Sequence, residues 1–202
     1  MRVIATLLIY FAVNIPAIVQ AGPPGTQPAP SSLSPKETLL DWDDRLDATS
    51  FDAVLRTYAY SGDQQKSLAH AMAEQVVTFT KLQKAVNAKW GKASDAVVMH
   101  ACGTTTREDD ARAMETVNGD HAVISFKLDG VAPLVLIRAN GEWKVDIATC
   151  ATVFGDHLND VEASIGQITA IGNAALAAIA DGKYSDASQL AKELGAEISK
   201  VQ

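Results

Sequence analysis

Arg138-Ala139-Asn140-Gly141-Glu142-Trp143-Lys144-Val145-Asp146 decides how this chain is read, because a two-residue turn sits between two runs of alternating polarity. Asn-Gly accepts positive φ at both central positions, so it closes a hairpin whose twist matches its flanking strands. Such a turn pairs Arg138 with Trp143, Leu136 with Val145 and Leu134 with Ile147, leaving Glu142, Lys144 and Asp146 on the other face. Outward from it, Ala122–Leu128, Val131–Arg138 and Glu142–Ala148 read as three strands of a meander, the first two joined by Asp129-Gly130. A plain two-residue turn there would put Val123 and Ser125 on the apolar face and waste Ile124 and Phe126. A one-residue offset repairs the pattern, with Gly130 or Pro133 as the bulge. The expected core face is Ile124, Phe126, Leu134, Leu136, Val145 and Ile147.

Upstream, Ala96–Ala101 (AVVMHA) is β-like and opens a sheet region spanning 96–149. Between it and the meander, Arg107–Glu115 is charged and fits a short helix. Thr106 is its cap, with Asp109 three residues on. Residues 36–90 read as helices. Ser34-Pro35-Lys36-Glu37 is a capping box with proline at the first helical position, starting a helix to about Asp47. Ser50 starts a second, carrying Phe51, Val54, Leu55 and Tyr58 and ended by Gly62. From Asp63 to Trp90, Leu68, Met72, Val76, Phe79, Leu82, Val86 and Trp90 form one stripe at helical spacing, closed by Gly91. C-terminal helices follow over 156–198, with Leu158, Val161, Ile165, Ile168, Leu176 and Ile179 on one stripe. The expected class is α+β, a single domain over 36–202.

The N-terminus reads as an address. Arg2 precedes an uncharged run from Val3 to Val19, and Val19-Gln20-Ala21 has small residues where a signal peptidase reads them. Residues 1–21 are therefore expected to be a cleaved signal peptide, giving a periplasmic or extracellular protein with no stable membrane span after cleavage. An uncleaved anchor is the alternative. Residues 22–35 hold five of the seven prolines and read as an extended linker.

Of the 202 residues, 48% are hydrophobic and 20% charged, enough for a buried core. A formal charge of −7 argues against a nucleic-acid surface, which needs clustered Lys and Arg.

Helices followed by a bent antiparallel meander resemble the cone-shaped nuclear-transport-factor-2-like superfamily, which includes steroid isomerases and polyketide cyclases. The residues carrying the likeness are Arg138 to Asp146, similar to a Gly-x-Trp-Lys-Val hairpin common there, and Gly119-Asp120-His121-Ala122-Val123, similar to the entry into the adjacent strand. The resemblance covers about a quarter of the chain. It implies a curved sheet enclosing a pocket against a long helix, and it implies no particular reaction. No tyrosine–aspartate pair is assigned here to an isomerase's catalytic positions.

Chemical motifs are sparse. His70, His100, His121 and His157 have no two at metal-ligand spacing, so neither a metal nor a cofactor is expected. No Gly-x-Ser-x-Gly elbow occurs, and Cys102-Gly-Thr-Thr-Thr106 lacks the lysine of a P-loop. In an oxidising compartment Cys102 and Cys150, each at an expected sheet end, are expected to form a structural disulfide. Closing that span would stabilise by roughly 4 kcal/mol in the chain-entropy treatment. Arg138 stacked on Trp143 at the rim of the apolar face, with Tyr58 and Tyr60 nearby, is the candidate ligand-binding group. Stacking for structure alone is the favoured reading of Arg138 and Trp143, as ordinary packing is of Tyr58 and Tyr60. The expected function is non-catalytic binding of a small apolar ligand or a protein partner, with an oligomer allowed. The alternatives are a small cofactor-independent isomerase or cyclase and a structural envelope interaction module.

Overall fold

The structure, a computed structural model, describes residues 33–128 and 131–201. The expected signal peptide, all but the last residues of the expected linker, and the Asp129-Gly130 connection lie outside them.

Helix α1, Pro35–Arg45, starts as its sequence dictates: the Glu37 amide donates to Ser34 Oγ at 3.2 Å and the Ser34 amide to Glu37 Oε2 at 2.6 Å. Pro35, counted with the linker in the sequence reading, is a buried first residue of this helix. Helix α2, Phe51–Leu55, is capped by Ser50. It stops earlier than expected. Tyr58–Ala59 form a short strand, β1, held by the Val145 amide donating to the Thr57 carbonyl at 2.8 Å. A remote strand supplies those bonds, so nothing local announces it.

Helix α3, Gly62–Trp90, runs 29 residues and ends at Gly91 with φ 86°, as expected. Its expected single stripe is corrected in the first half. Ala69, Ala73 and Val77 are buried there, whereas Val76 is 37% exposed. The small residues admit neighbours closely, and the buried face shifts to them.

Ala96–Ala101 is not a strand. Asp95–Ala101 is helix α4, burying Asp95, Val98 and Met99, with Cys102 buried one turn on. Those four positions have helical spacing. Gln83 Nε2 and Asn87 Nδ2 of α3 both donate to Asp95 Oδ2, at 3.3 and 3.0 Å, and moor the helix start. Helix α5, Arg107–Arg112, agrees with the charged short helix and has the Thr106 capping box. Its expected end at Glu115 gives way to an unforeseen strand.

That strand is β2, Met114–Asn118; β3 is His121–Ser125, β4 Leu134–Ala139 and β5 Glu142–Asp146. The sheet order is β1-β5-β4-β3-β2, parallel only between β1 and β5. Arg138 pairs with Trp143 and Leu136 with Val145, as the turn requires. Ile124 pairs with Leu134 and Ala122 with Leu136, the one-residue offset expected from the wasted apolar positions. The third expected pair fails: Asp146 accepts from the Thr149 amide at 3.1 Å and its hydroxyl at 2.6 Å, so helix α6, Ile147–Phe154, begins before Ile147 reaches Leu134. Ile147 is fully buried nonetheless.

Helix α7, Leu158–Ala180, and helix α8, Ala187–Ile198, complete the chain. The α7 seam contains Gly172 and Ala175, while Leu176 is only half-buried. Among the described residues one stretch, Ile147–Ala180, is long and apolar enough by length and composition to cross a membrane, with mean hydropathy 1.4. Gly155 at φ 50° divides it into α6 and α7.

The core has two parts. One gathers the sheet's inner face with Leu68, Ala69 and Ala73 of α3, Cys150 of α6 and Val161 of α7. The other gathers Leu82 and Val86 of α3, Met99, Cys102, Ile168 and Leu190. Cys102 and Cys150 therefore fall in different parts, and both are free thiols. The disulfide expectation failed with the strand expectation: AVVMHA as a helix carries Cys102 away from the sheet.

Candidate functional site

The hairpin pleat separates the two groups that the sequence placed together. Arg138 and Trp143 point to the same face as Leu136 and Val145, and the guanidinium carbon stands 4.6 Å from the indole centroid. Trp143 is 2% exposed and Arg138 half-buried, so the ring is packed beneath the surface, and neither residue lines the groove between α2, β1 and the hairpin. Arg138 Nε and Trp143 Nε1 are both buried without a hydrogen-bond partner. Their contact is cation on ring face, not donor to acceptor.

The next residues in the pleat face the other way. Ala139, Asn140 and Lys144 meet the end of α2 and the β1 edge to line an open groove of about 660 Å3. Tyr58, Ala59 and Tyr60 line it from β1, and Asp52, Leu55 and Arg56 from the end of α2. Of the four residues singled out from sequence, Tyr58 and Tyr60 border the groove and Arg138 and Trp143 do not; Tyr58, paired with Val145, is buried in the same core as Trp143, and Tyr60 is the exposed one. Arg56 and Lys144 were missed. The signal for Lys144 was available in its alternation with Trp143. None existed for Arg56, which is near the hairpin only because β1 pairs with β5.

The lining carries two cations and one carboxylate, against an overall charge of −7. Arg56 Nε donates to its own helix, at the Asp52 carbonyl, at 3.0 Å, and Lys144 Nζ lies 3.8 Å from Glu142. Tyr58 is buried, and this desolvation raises its phenol, so it stays a neutral donor.

The most displaced acid lies elsewhere. Asp110 of α5 is 4% exposed; burial and then the neighbouring Asp43 charge push its carboxyl up to about 8. Asp43 of α1 is raised as well, chiefly by desolvation. Both buried thiols are pushed up to about 12 by burial, which leaves them unreactive. His121 Nδ1 is 4.0 Å from the helix-capping Asp146, and His100 Nε2 is 2.8 Å from Asp109, which also accepts from the Thr106 hydroxyl. Here the hydroxyl is bonded to the carboxylate and not to the imidazole, so the histidine is not placed to activate it. Among the described residues no group of three or more His, Cys, Asp or Glu is gathered to hold a metal ion.

Compared with family models, with curated proteins and with solved structures, the chain matches none.

Proposed function

We propose that this is an exported, non-catalytic α+β module that binds a small organic anion with an apolar body in the groove between α2, β1 and the β4–β5 hairpin. One observation carries the reading: a concavity in an acidic protein that presents Arg56 and Lys144 beside Tyr60 and Leu55. Two cations attract a carboxylate or phosphate, while the ring and aliphatic surfaces bury the remainder. The cone-fold resemblance belongs to this proposal too. Its support is the order of helices before an antiparallel meander and the inner face built from Ile124, Leu136 and Val145. An isomerase or cyclase is less favoured, because Asp110, the acid held neutral by its surroundings, lies outside the groove lining.

The test is a nuclear magnetic resonance titration with short aliphatic and aromatic carboxylates and their uncharged amides. Expected are shifts confined to Ala59, Tyr60, Ala139 and Asn140 with the carboxylates, reduced at least about tenfold in affinity by Arg56→Ala with Lys144→Ala. Equal binding of acids and amides, or shifts elsewhere only, would overturn the reading.

A second reading, a helical interaction module, is favoured by the outer face of α7. Ala163, Gly166, Ala170, Ala174 and Ala177 are exposed there, a row of small residues that permits close helix approach. Sedimentation velocity of the wild type and Ala170→Glu tests it for self-association; a species larger than the monomer, lost in the variant, supports it.

A further inference from the structure

We propose that β2 is the edge on which a second copy of this chain docks, the two β2 strands pairing antiparallel about a two-fold axis at Thr116 so that the two sheets become one. β2 is an outer strand of the sheet, and all five of its residues are exposed. Met114 is 58% and Val117 49% exposed, on opposite faces of the strand. The strand has no lysine and no proline, and its five consecutive pairs with β3 contain no bulge, so the usual devices that blunt an edge are missing. The opposite edge is protected: β1 is two residues long and Tyr58 is buried. The one charge on β2, Glu115, shares the face of its partner Ile124 and is engaged there by the Lys36 amide at 2.8 Å.

The backbone fixes which groups are free. The Arg138 amide donates to the Asp120 carbonyl at 2.7 Å, so Asp120 turns its bonds toward β4. Bonding direction alternates along a strand, so His121, Val123 and Ser125 turn theirs toward β2, at Asn118, Thr116 and Met114. Glu115 and Val117 therefore aim their amides and carbonyls away from the sheet. Placing the axis at Thr116 sets Glu115 opposite Val117 of the second copy on both sides of it, and each such pair exchanges both of its bonds. An axis at Glu115 would set two carboxylates face to face, and one at Val117 would bring Glu115 against Gly119 of the turn.

The flanks of the strand say what the partner is. Arg112, at the end of α5, and Asp120, in the β2–β3 turn, lie equally far from Thr116 along the chain. The two-fold axis therefore brings Arg112 of each copy to the side of Asp120 of the other. Both are exposed, and among the described residues neither side chain has an ion-pair or hydrogen-bond partner of its own. On the outer face Thr116 meets its own counterpart, a favoured cross-strand pair, and Met114 lies across from Asn118. A strand of unrelated sequence would leave Arg112 and Asp120 unmatched, whereas a second copy matches each with the other.

Amide exchange followed by nuclear magnetic resonance on the full chain, at about 50 μM and about 1 mM, tests the pairing. The Glu115 and Val117 amides are expected to exchange at least about twofold more slowly at the higher concentration, while those of Met114, Thr116 and Asn118, already bonded to β3, do not change. Sedimentation velocity should show a dimer weakened about tenfold by Val117→Pro, which deletes an outward donor and spares the bonds to β3. Arg112→Asp should weaken it about tenfold as well, and adding Asp120→Arg to that variant should restore it. This charge swap carries the test if the proline variant fails to fold. Ala170→Glu should leave the dimer intact, which separates it from self-association through α7. A monomer across the range, a dimer unchanged by a correctly folded Val117→Pro, or a swap that does not recover would overturn the proposal. Protection of Glu115 and Val117 that is independent of concentration would also overturn it, in favour of a strand supplied from within the chain.

Discussion

Trp143 and Arg138 show how one register decides what a residue can do. Buried to 2% exposure with the guanidinium over its ring, Trp143 fills the inner face and presents nothing to solvent. Arg138→Ala should cost about 1 kcal/mol by chemical denaturation through lost stacking and stem packing, and leave groove binding unchanged. Asp109 makes a different point. Burial raises its carboxyl, but the bonds from His100 and Thr106 outweigh that and hold it below the usual range. A depressed acid adds stability above its unfolded value and loses it as pH falls through the folded one. Asp109→Ala should therefore lower stability by about 1 kcal/mol at neutral pH, with the gap to wild type closing in acid. Denaturant titrations at two pH values measure it.

At the scale of elements, the long packing between α3 and α7 depends on a missing side chain. A Cβ on Gly172 would lie 2.9 Å from Thr78 Cγ2 and 3.6 Å from Phe79 Cζ, whereas one on Gly166 meets nothing within 4 Å. Gly172→Ala should destabilise by about 1–3 kcal/mol and Gly166→Ala should stabilise by up to about 1 kcal/mol, the same substitution with opposite signs on one helix. Thermal unfolding of both variants reads this directly. The sequence stripe for α7 named its large apolar residues and omitted Gly172, because a hydrophobic pattern registers side chains that fill space and not those that make room. The α1 cap, the α3 stop at Gly91 and the β4–β5 register were all legible, since each rests on bonds between residues close in the chain. AVVMHA was misread because its apolar run of four is too short to show a period, and Gln83 and Asn87, which moor the helix start at Asp95, lie on another element.

For the whole molecule, the division of the core into a sheet part and a helical part sets the chemistry of the thiols. Cys102 and Cys150 are each 5% exposed or less, with ionisation suppressed by burial. Both should resist a thiol reagent in the native state, and react fully once the protein is denatured without reductant. An intact mass two daltons below the reduced value would contradict this. The candidate site is likewise a product of the whole. Residues 52–60 and 139–144 meet only because β1 inserts beside β5, so Tyr58 was found for its type while Arg56 was not found at all.

What the sequence determined by itself was local: the start of α1 at Ser34, the length of α3, the Asn140-Gly141 turn and, through parity, the offset between β3 and β4. In each case the deciding bonds or the two-residue pleat repeat act over a few positions, so composition and spacing carry the information. The tertiary structure alone decided the fate of AVVMHA, the strand at Tyr58, the separation of the thiols, and the burial of Asp110. Those outcomes depend on partners supplied by distant segments, whose hydrogen bonds and desolvation exist only once the chain has folded.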